Sequence, residues 1–147
     1  MRLVGLDYGE SRIGLAVSDE LGLTAQGFAV YKRKGGRADL AALAAKVREI
    51  GAGLLVVGLP LNMNGSRGPA AEAAEEFGRG LARLTGLEVV FVDERLSTAQ
   101  AAKSLIAAGI PRRRRGEVVD RNAAALILQA YLDRIGRPAS DRARGEE

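Results

Sequence analysis

Three acidic positions in this chain stand where chemistry needs them: Asp7, the adjacent Asp93 and Glu94, and Asp120. Asp7 comes near the end of an apolar run, where Leu3, Val4 and Leu6 precede it and Gly5 and Gly9 leave room for close backbone approach. Asp93 and Glu94 close the run Glu88-Val89-Val90-Phe91-Val92. Asp120 shares a helical stripe with Ala124, Ile127 and Tyr131, at i, i+4, i+7 and i+11. A carboxylate in such apolar company must be paired or hold a cation, because a lone buried charge is costly. Histidine and cysteine are both absent, so metal chemistry is left to oxygen donors. Such donors suit hard cations, Mg²⁺ or Mn²⁺. Three converging carboxylates fit the two-metal arrangement used for in-line phosphodiester hydrolysis.

Each acid also has a plainer explanation. Asp7 can cap the turn to Gly9, Asp93 or Glu94 can pair with Arg95, and Asp120 can compensate a helix dipole. Alternation puts Val90, Val92 and Glu94 on one side of their strand and Phe91 and Asp93 on the other. Only one of the two acids therefore shares a face with a given ligand, and alternation alone does not choose between them.

The elements that must carry these residues follow from the hydrophobic periods. Arg2–Tyr8, Arg12–Ser18 and Gly27–Lys32 read as three strands with short connections, an antiparallel meander. Leu40, Leu43, Ala44, Val47 and Ile50 mark one face of a helix that Gly51 ends. Leu54–Val57 is continuously apolar, as in a strand buried on both faces. Pro69 opens a second helix whose inner stripe is Ala70, Ala73, Ala74, Phe77, Leu81 and Leu84, and Leu87–Val92 is a fifth strand. Ser97 and Gln100 have capping-box spacing for a third helix that stops at Gly109. A basic loop, Arg112–Arg115, precedes a last helix from Glu117 to Ile135. The order β-β-β-α-β-α-β-α-α predicts an α/β fold with a mixed five-stranded sheet, three antiparallel strands then two parallel, and helices on its faces. Residues 1–136 are expected as a single domain, with 137–147 a polar, flexible tail.

With 147 residues, the chain is long enough for one solid, aliphatic core. The net charge of +4, carried very largely by arginine, suits a polyanionic partner. No apolar run approaches the length of a membrane span, and the N-terminal residues do not read as a secretory signal. The cytoplasm is the expected compartment. Arg112, Arg113, Arg114 and Arg115 are placed to clamp phosphates near Asp120, because guanidinium groups bind them in a bidentate way. Arg12, Arg95 and the loop residues Asn62, Asn64, Ser66 and Arg67 are the other expected substrate contacts. Aromatic platforms are scarce, which favours recognition of backbone shape over stacked bases.

Gly5-Leu6-Asp7-Tyr8-Gly9 with Arg12-Ile13-Gly14-Leu15-Ala16 resembles the opening of the YqgF (RuvX) family, a branch of the RNase H-like, RuvC-like superfamily. The likeness continues through Val57–Ser66, Asp93–Thr98 and Asp120–Gln129, four blocks in order over nearly the whole chain. It implies an RNase H-like fold and a nuclease dependent on Mg²⁺ or Mn²⁺, with Asp7, Glu94 and Asp120 as the catalytic, metal-binding acids. The family motif carries its acid at the Glu94 position, which favours Glu94 over Asp93. The implied substrate is the 5′ end of pre-16S rRNA, in ribosome biogenesis, with Holliday-junction DNA as the alternative. Cutting both strands of a junction requires a two-fold homodimer. One departure stands out: RuvC resolvases carry an acid at the end of the fourth strand, where this chain has Leu59-Pro60-Leu61-Asn62. Two rival classes share features with the chain. Sugar-kinase and heat-shock ATPases open on a similar Asp-x-Gly hairpin but need two such domains, and a non-catalytic nucleic-acid-binding factor has no use for gathered negative charge.

Overall fold

The computed structural model describes residues 1–96 and 112–136, with the backbone alone for 112–121. Strands β1 (Arg2–Tyr8), β2 (Arg12–Ser18) and β3 (Ala25–Lys32) form the meander. Helix α1 (Gly36–Ile50), β4 (Ala52–Leu59), helix α2 (Pro69–Thr85), β5 (Val89–Asp93), a 3₁₀ turn (Glu94–Leu96) and helix α3 (Arg112–Ile135) follow. The sheet order is β3-β2-β1-β4-β5. β2 lies antiparallel to β1 and β3, whereas β4 lies parallel to β1 and β5, the mixed sheet that the periods predict. Consequently the C-terminal ends of β1, β3, β4 and β5 all reach one edge of the sheet, together with the start of β2.

Alternation along the central strands divides the core into two layers. Val4, Leu6, Ile13, Leu15, Leu55 and Val57 face α1 and α2 and pack on Leu43, Val47, Phe77 and Leu81. Leu3, Ala16, Leu54, Val56 and Val92 face the other way and pack on Ala123, Ala124, Ile127, Leu128 and Leu132 of α3. Burial on both faces explains why β1 and β4 read as unbroken apolar runs.

Several boundaries and one face depart from the sequence reading. β3 begins at Ala25 and α1 at Gly36, after Gly35 and Gly36 turn the chain with φ of 100° and 54°. The buried stripe of α2 is Ala71, Ala74, Phe77, Gly78 and Leu81, while Ala70, Ala73 and Leu84 are exposed. The alanines at 70, 71, 73 and 74 fit either rotation equally. Gly78 decides it, since a Cβ there would stand 2.8 Å from the Phe91 ring. Arg112–Arg115 are not a loop but the opening of α3. Arginine is a strong helix former, and Gly116 costs only about 1 kcal/mol in a helix, too little to break it. The expected helix from Ser97 to Gly109 and the tail at 137–147 lie outside the described residues.

Helix α3 reaches the sheet unusually closely because two strand glycines make room. A Cβ on Gly5 would lie 2.7 Å from Leu128 Cβ and 3.0 Å from the Ala124 carbonyl oxygen. One on Gly58 would lie 2.5 Å from Ile127 Cδ1. Backbone and Cβ atoms cannot swing aside as the end of a flexible side chain can. Gly5→Val should therefore lift α3 and lower stability by about 1–3 kcal/mol, the usual effect of overpacking. Urea unfolding would check this, and an unchanged midpoint would mean that α3 does not rest on β1 as described.

Candidate active site

Asp7 and Glu94 arrive on the same face of the sheet from different strands. Along β1, Leu3 and Gly5 meet α3, so the alternation that turns Val4 and Leu6 to the first layer turns Asp7 toward the α3 layer. Glu94 follows Val90 and Val92, both in that layer, at the exit of β5. β4 lies between them, and the residue beside Asp7 there is Gly58, because Leu6 pairs with Val57. A Cβ on Gly58 would stand 3.2 Å from Glu94 Cγ, so the glycine forms the floor over which the Glu94 side chain lies. Both acids are buried, with 4% of Asp7 and 3% of Glu94 exposed. Two buried carboxylates beside a small-residue floor are a donor set that fits a hard divalent cation.

The third expected acid, Asp120, lies in α3 one turn before the buried Ala124, and its side chain is outside the described residues. The direction of the helix is clear from its other end. Gln129 Oε1 accepts from the Ala25 amide at 2.9 Å, and its Nε2 donates to the Leu23 carbonyl at 3.2 Å. Those contacts lie at the start of β3, the end of the sheet where β1 begins. α3 thus runs antiparallel to β1, and its N-terminal half is directed toward the edge that carries Asp7 and Glu94. Among the described residues no three acids come together.

Asp93 is on the opposite face and is engaged elsewhere. Its carboxylate accepts the Arg95 amide at 2.9 Å and Arg95 Nη2 at 2.7 Å, the ion pair foreseen as its plainer role. The Arg95 guanidinium holds the Asp93 carboxyl below the usual carboxylate range. Arg95 also donates Nη1 to the Met63 carbonyl at 3.2 Å, tying the end of β5 to the loop after β4. That loop satisfies itself: Asn62 Nδ2 donates to Ser66 Oγ at 2.9 Å, and Ser66 Oγ donates to Asn64 Oδ1 at 2.6 Å. Gly65 makes the turn with φ 87°. Arg67 forms an ion pair with Glu75 of α2. Arg12 is half-buried at the start of β2, on the same edge as Asp7. Arg112–Arg115 open α3, with their side chains outside the described residues.

Sequence reasoning missed a buried acid with four hydrogen bonds. Asp39, with 2% of its surface exposed, accepts from the Lys34 amide at 2.8 Å, Tyr31 Oη at 2.9 Å, the Gly35 amide at 3.1 Å and Arg33 Nε at 3.3 Å. Arg33 in turn donates to the Gly9 and Glu10 carbonyls at 3.1 and 2.8 Å and lies 4.5 Å over the Tyr8 ring. This network fixes the β1–β2 turn immediately after Asp7. Its one signal in the sequence is an acid in the first turn of a helix behind Gly35-Gly36, a weak mark of a cap. Burial raises the Asp39 carboxyl, but the donors outweigh it and hold it below its ordinary value. A depressed carboxylate stabilises the fold above its unfolded value of 3.8 and loses that contribution as pH falls through the lower folded value. Asp39→Ala should cost about 1–3 kcal/mol at pH 7 by stranding buried donors. In urea unfolding the gap to the wild type should narrow below pH 4. A gap independent of pH would contradict the ionised network.

A model described as "RuvX: Holliday junction resolvase" matches residues 1–134. A protein of Moorella thermoacetica named "Putative pre-16S rRNA nuclease" is 54% identical over 137 residues, covering 93% of this chain and 98% of its own. One of Myxococcus xanthus with the same name is 50% identical over 141 residues, covering 96% and 93%. Thermus thermophilus RuvC in complex with a Holliday junction substrate superposes with a TM-score of 0.57 at 21% identity, over 92% of this chain and 97% of that one. Fowlpox virus resolvase with its Holliday junction DNA gives 0.56 at 11% identity, over 93% and 100%. The two solved structures show that the fold is RNase H-like.

Proposed function

Since the chain belongs to the RuvX (YqgF) family, we propose that it is a divalent-metal-dependent endonuclease that hydrolyses phosphodiester bonds, with the 5′ end of pre-16S rRNA as its substrate. The observation that carries this is the convergence of Asp7 and Glu94, both buried, on the face of the sheet that α3 covers. Asp7, Glu94 and Asp120 are the residues that would hold Mg²⁺ or Mn²⁺. A divalent cation held there would supply Lewis-acid chemistry for phosphodiester hydrolysis. The chain's own part is to hold the carboxylates in place. Gly58 leaves room for Glu94, the Arg33–Asp39 network fixes the turn after Asp7, and Arg95 takes Asp93 out of competition for the cation. Arg12 and Arg112–Arg115 supply positive charge for the phosphate backbone at the same edge. Residues 1–136 act as one nuclease domain in this scheme, at work in the cytoplasm.

The family description also names Holliday-junction resolution. Against it stands the end of β4, where Leu59-Pro60-Leu61-Asn62 supplies no carboxylate. A homodimer would be needed for paired cuts, so a single-site substrate is preferred.

Cleavage of a labelled RNA spanning the 5′ end of pre-16S rRNA should require Mg²⁺ or Mn²⁺ and stop on chelation. Asp7→Asn and Glu94→Gln should each lower the rate on the order of 10³-fold, given the several kcal/mol that metal-assisted charge stabilisation contributes. Affinity for the RNA should persist or rise as negative charge is removed. Comparable cleavage by either variant would remove that residue from the site. Products from a four-way DNA junction alone would favour resolution, and binding without cleavage of any substrate would favour a non-catalytic factor.

A further inference from the structure

Arg12 and Lys32 are direct cross-strand partners at the edge of the sheet where Asp7 lies. Ile13 and Tyr31, the next pair, point toward the α1 and α2 layer, so Arg12 and Lys32 both point to the opposite face. That face is the one that carries Asp7 and Glu94. Directly opposed residues in an antiparallel pair have Cβ atoms about 4.5–5.5 Å apart, close enough for both side chains to reach one anion. Lys32 is exposed, and among the described residues it forms no ion pair. Its neighbour Arg33 points the other way, into the Asp39 network, so the alternation of β3 separates a structural cation from an outward one.

We propose that Arg12 and Lys32 form a phosphate clamp that receives the nucleic-acid backbone on the β3 side of the carboxylates. A phosphate within reach of both side chains would accept a charge-assisted contact from each. Asp7 pairs with Gly14, two residues along β2 from Arg12. With strands about 4.8 Å apart and a rise of about 3.3 Å per residue, Arg12 lies about 8 Å and Lys32 about 12 Å from Asp7 at the backbone. The strand to be cut therefore runs across the sheet edge from the carboxylates toward β3, past the 9–12 turn. Lys32 is thus a substrate-positioning residue for the reaction proposed above, and the clamp rests on that nuclease assignment.

A plainer role exists for a lysine on an edge strand, which is to block pairing with another sheet. Lys32→Glu separates the two. The substitution reverses the charge opposite Arg12 while keeping a charged residue on the edge strand. If the clamp exists, affinity for the pre-16S rRNA 5′-end RNA, measured in EDTA, should fall on the order of tenfold, the effect of one lost charged contact. The slope of log affinity against log salt should shrink by about 0.7–0.9. Lys32→Gln should give a smaller change in the same direction. A four-way DNA junction is titrated in parallel as the second probe. Unchanged affinity and slope in Lys32→Glu, beside normal wild-type binding, overturn the clamp and leave the nuclease standing. Failure of the wild-type chain to bind either probe at low salt overturns both.

Discussion

The contact between α3 and the sheet at Gly5 and Gly58 is the constraint on which the rest of the arrangement depends. Without side chains at those two positions, Leu128, Ala124 and Ile127 settle almost onto the backbone of β1 and β4. The approach has two consequences. It dries the face on which Asp7 and Glu94 lie, so that their charges are felt in a medium where an unbalanced pair is costly. It also aligns α3 antiparallel to β1, which carries the helix segment containing Asp120 toward the same edge. The small residues Ala123 and Ala124 complete the fit from the helix side.

Around that dry face the polar residues fall into separate tasks. Asp39 and Arg33 fix the turn after Asp7 from the α1 side, with Tyr8 between Arg33 and Phe77, whose ring centre is 4.6 Å from that of Tyr8. Asp93 and Arg95 pin the loop after β4 from the other end. Each acid in these two networks has its charge answered within the protein. Arg12 and the exposed Lys32 stand on that same edge, on the face of the sheet that carries the two buried acids. Positive charge around buried acids is the arrangement that the proposed phosphodiester substrate calls for.

Much of this was readable from the residues alone. The element order and the mixed sheet followed from short apolar strands with tight connections giving way to period 3.6 and then to buried apolar runs, because burial leaves a direct imprint on a strand. The importance of Gly5 was visible for a related reason: close approach of the backbone excludes a side chain there. Asp93 and Glu94 could not be separated from spacing. The separation depends on which side of β5 meets α3, and that became decidable only once Val90 and Val92 were seen against the helix. The buried stripe of α2 differs from the expected one because its alanines offer no contrast, and Arg112–Arg115 join the helix expected from Glu117 because the helix propensity of arginine offsets the cost of Gly116. Asp39 escaped notice because its partners come from backbone amides and from Tyr31 and Arg33, none of which forms a recognisable spacing. The cross-strand meeting of Arg12 and Lys32 needed the register of β2 against β3, which no local pattern encodes.

The most direct test of the central claim is calorimetric titration of Mn²⁺ into the chelator-stripped protein, beside Asp7→Asn and Glu94→Gln. Saturable binding to the wild type that is lost or greatly weakened in both variants is the predicted result. Equal binding to all three proteins, or none to the wild type, would contradict the assignment of the buried carboxylates to a metal centre.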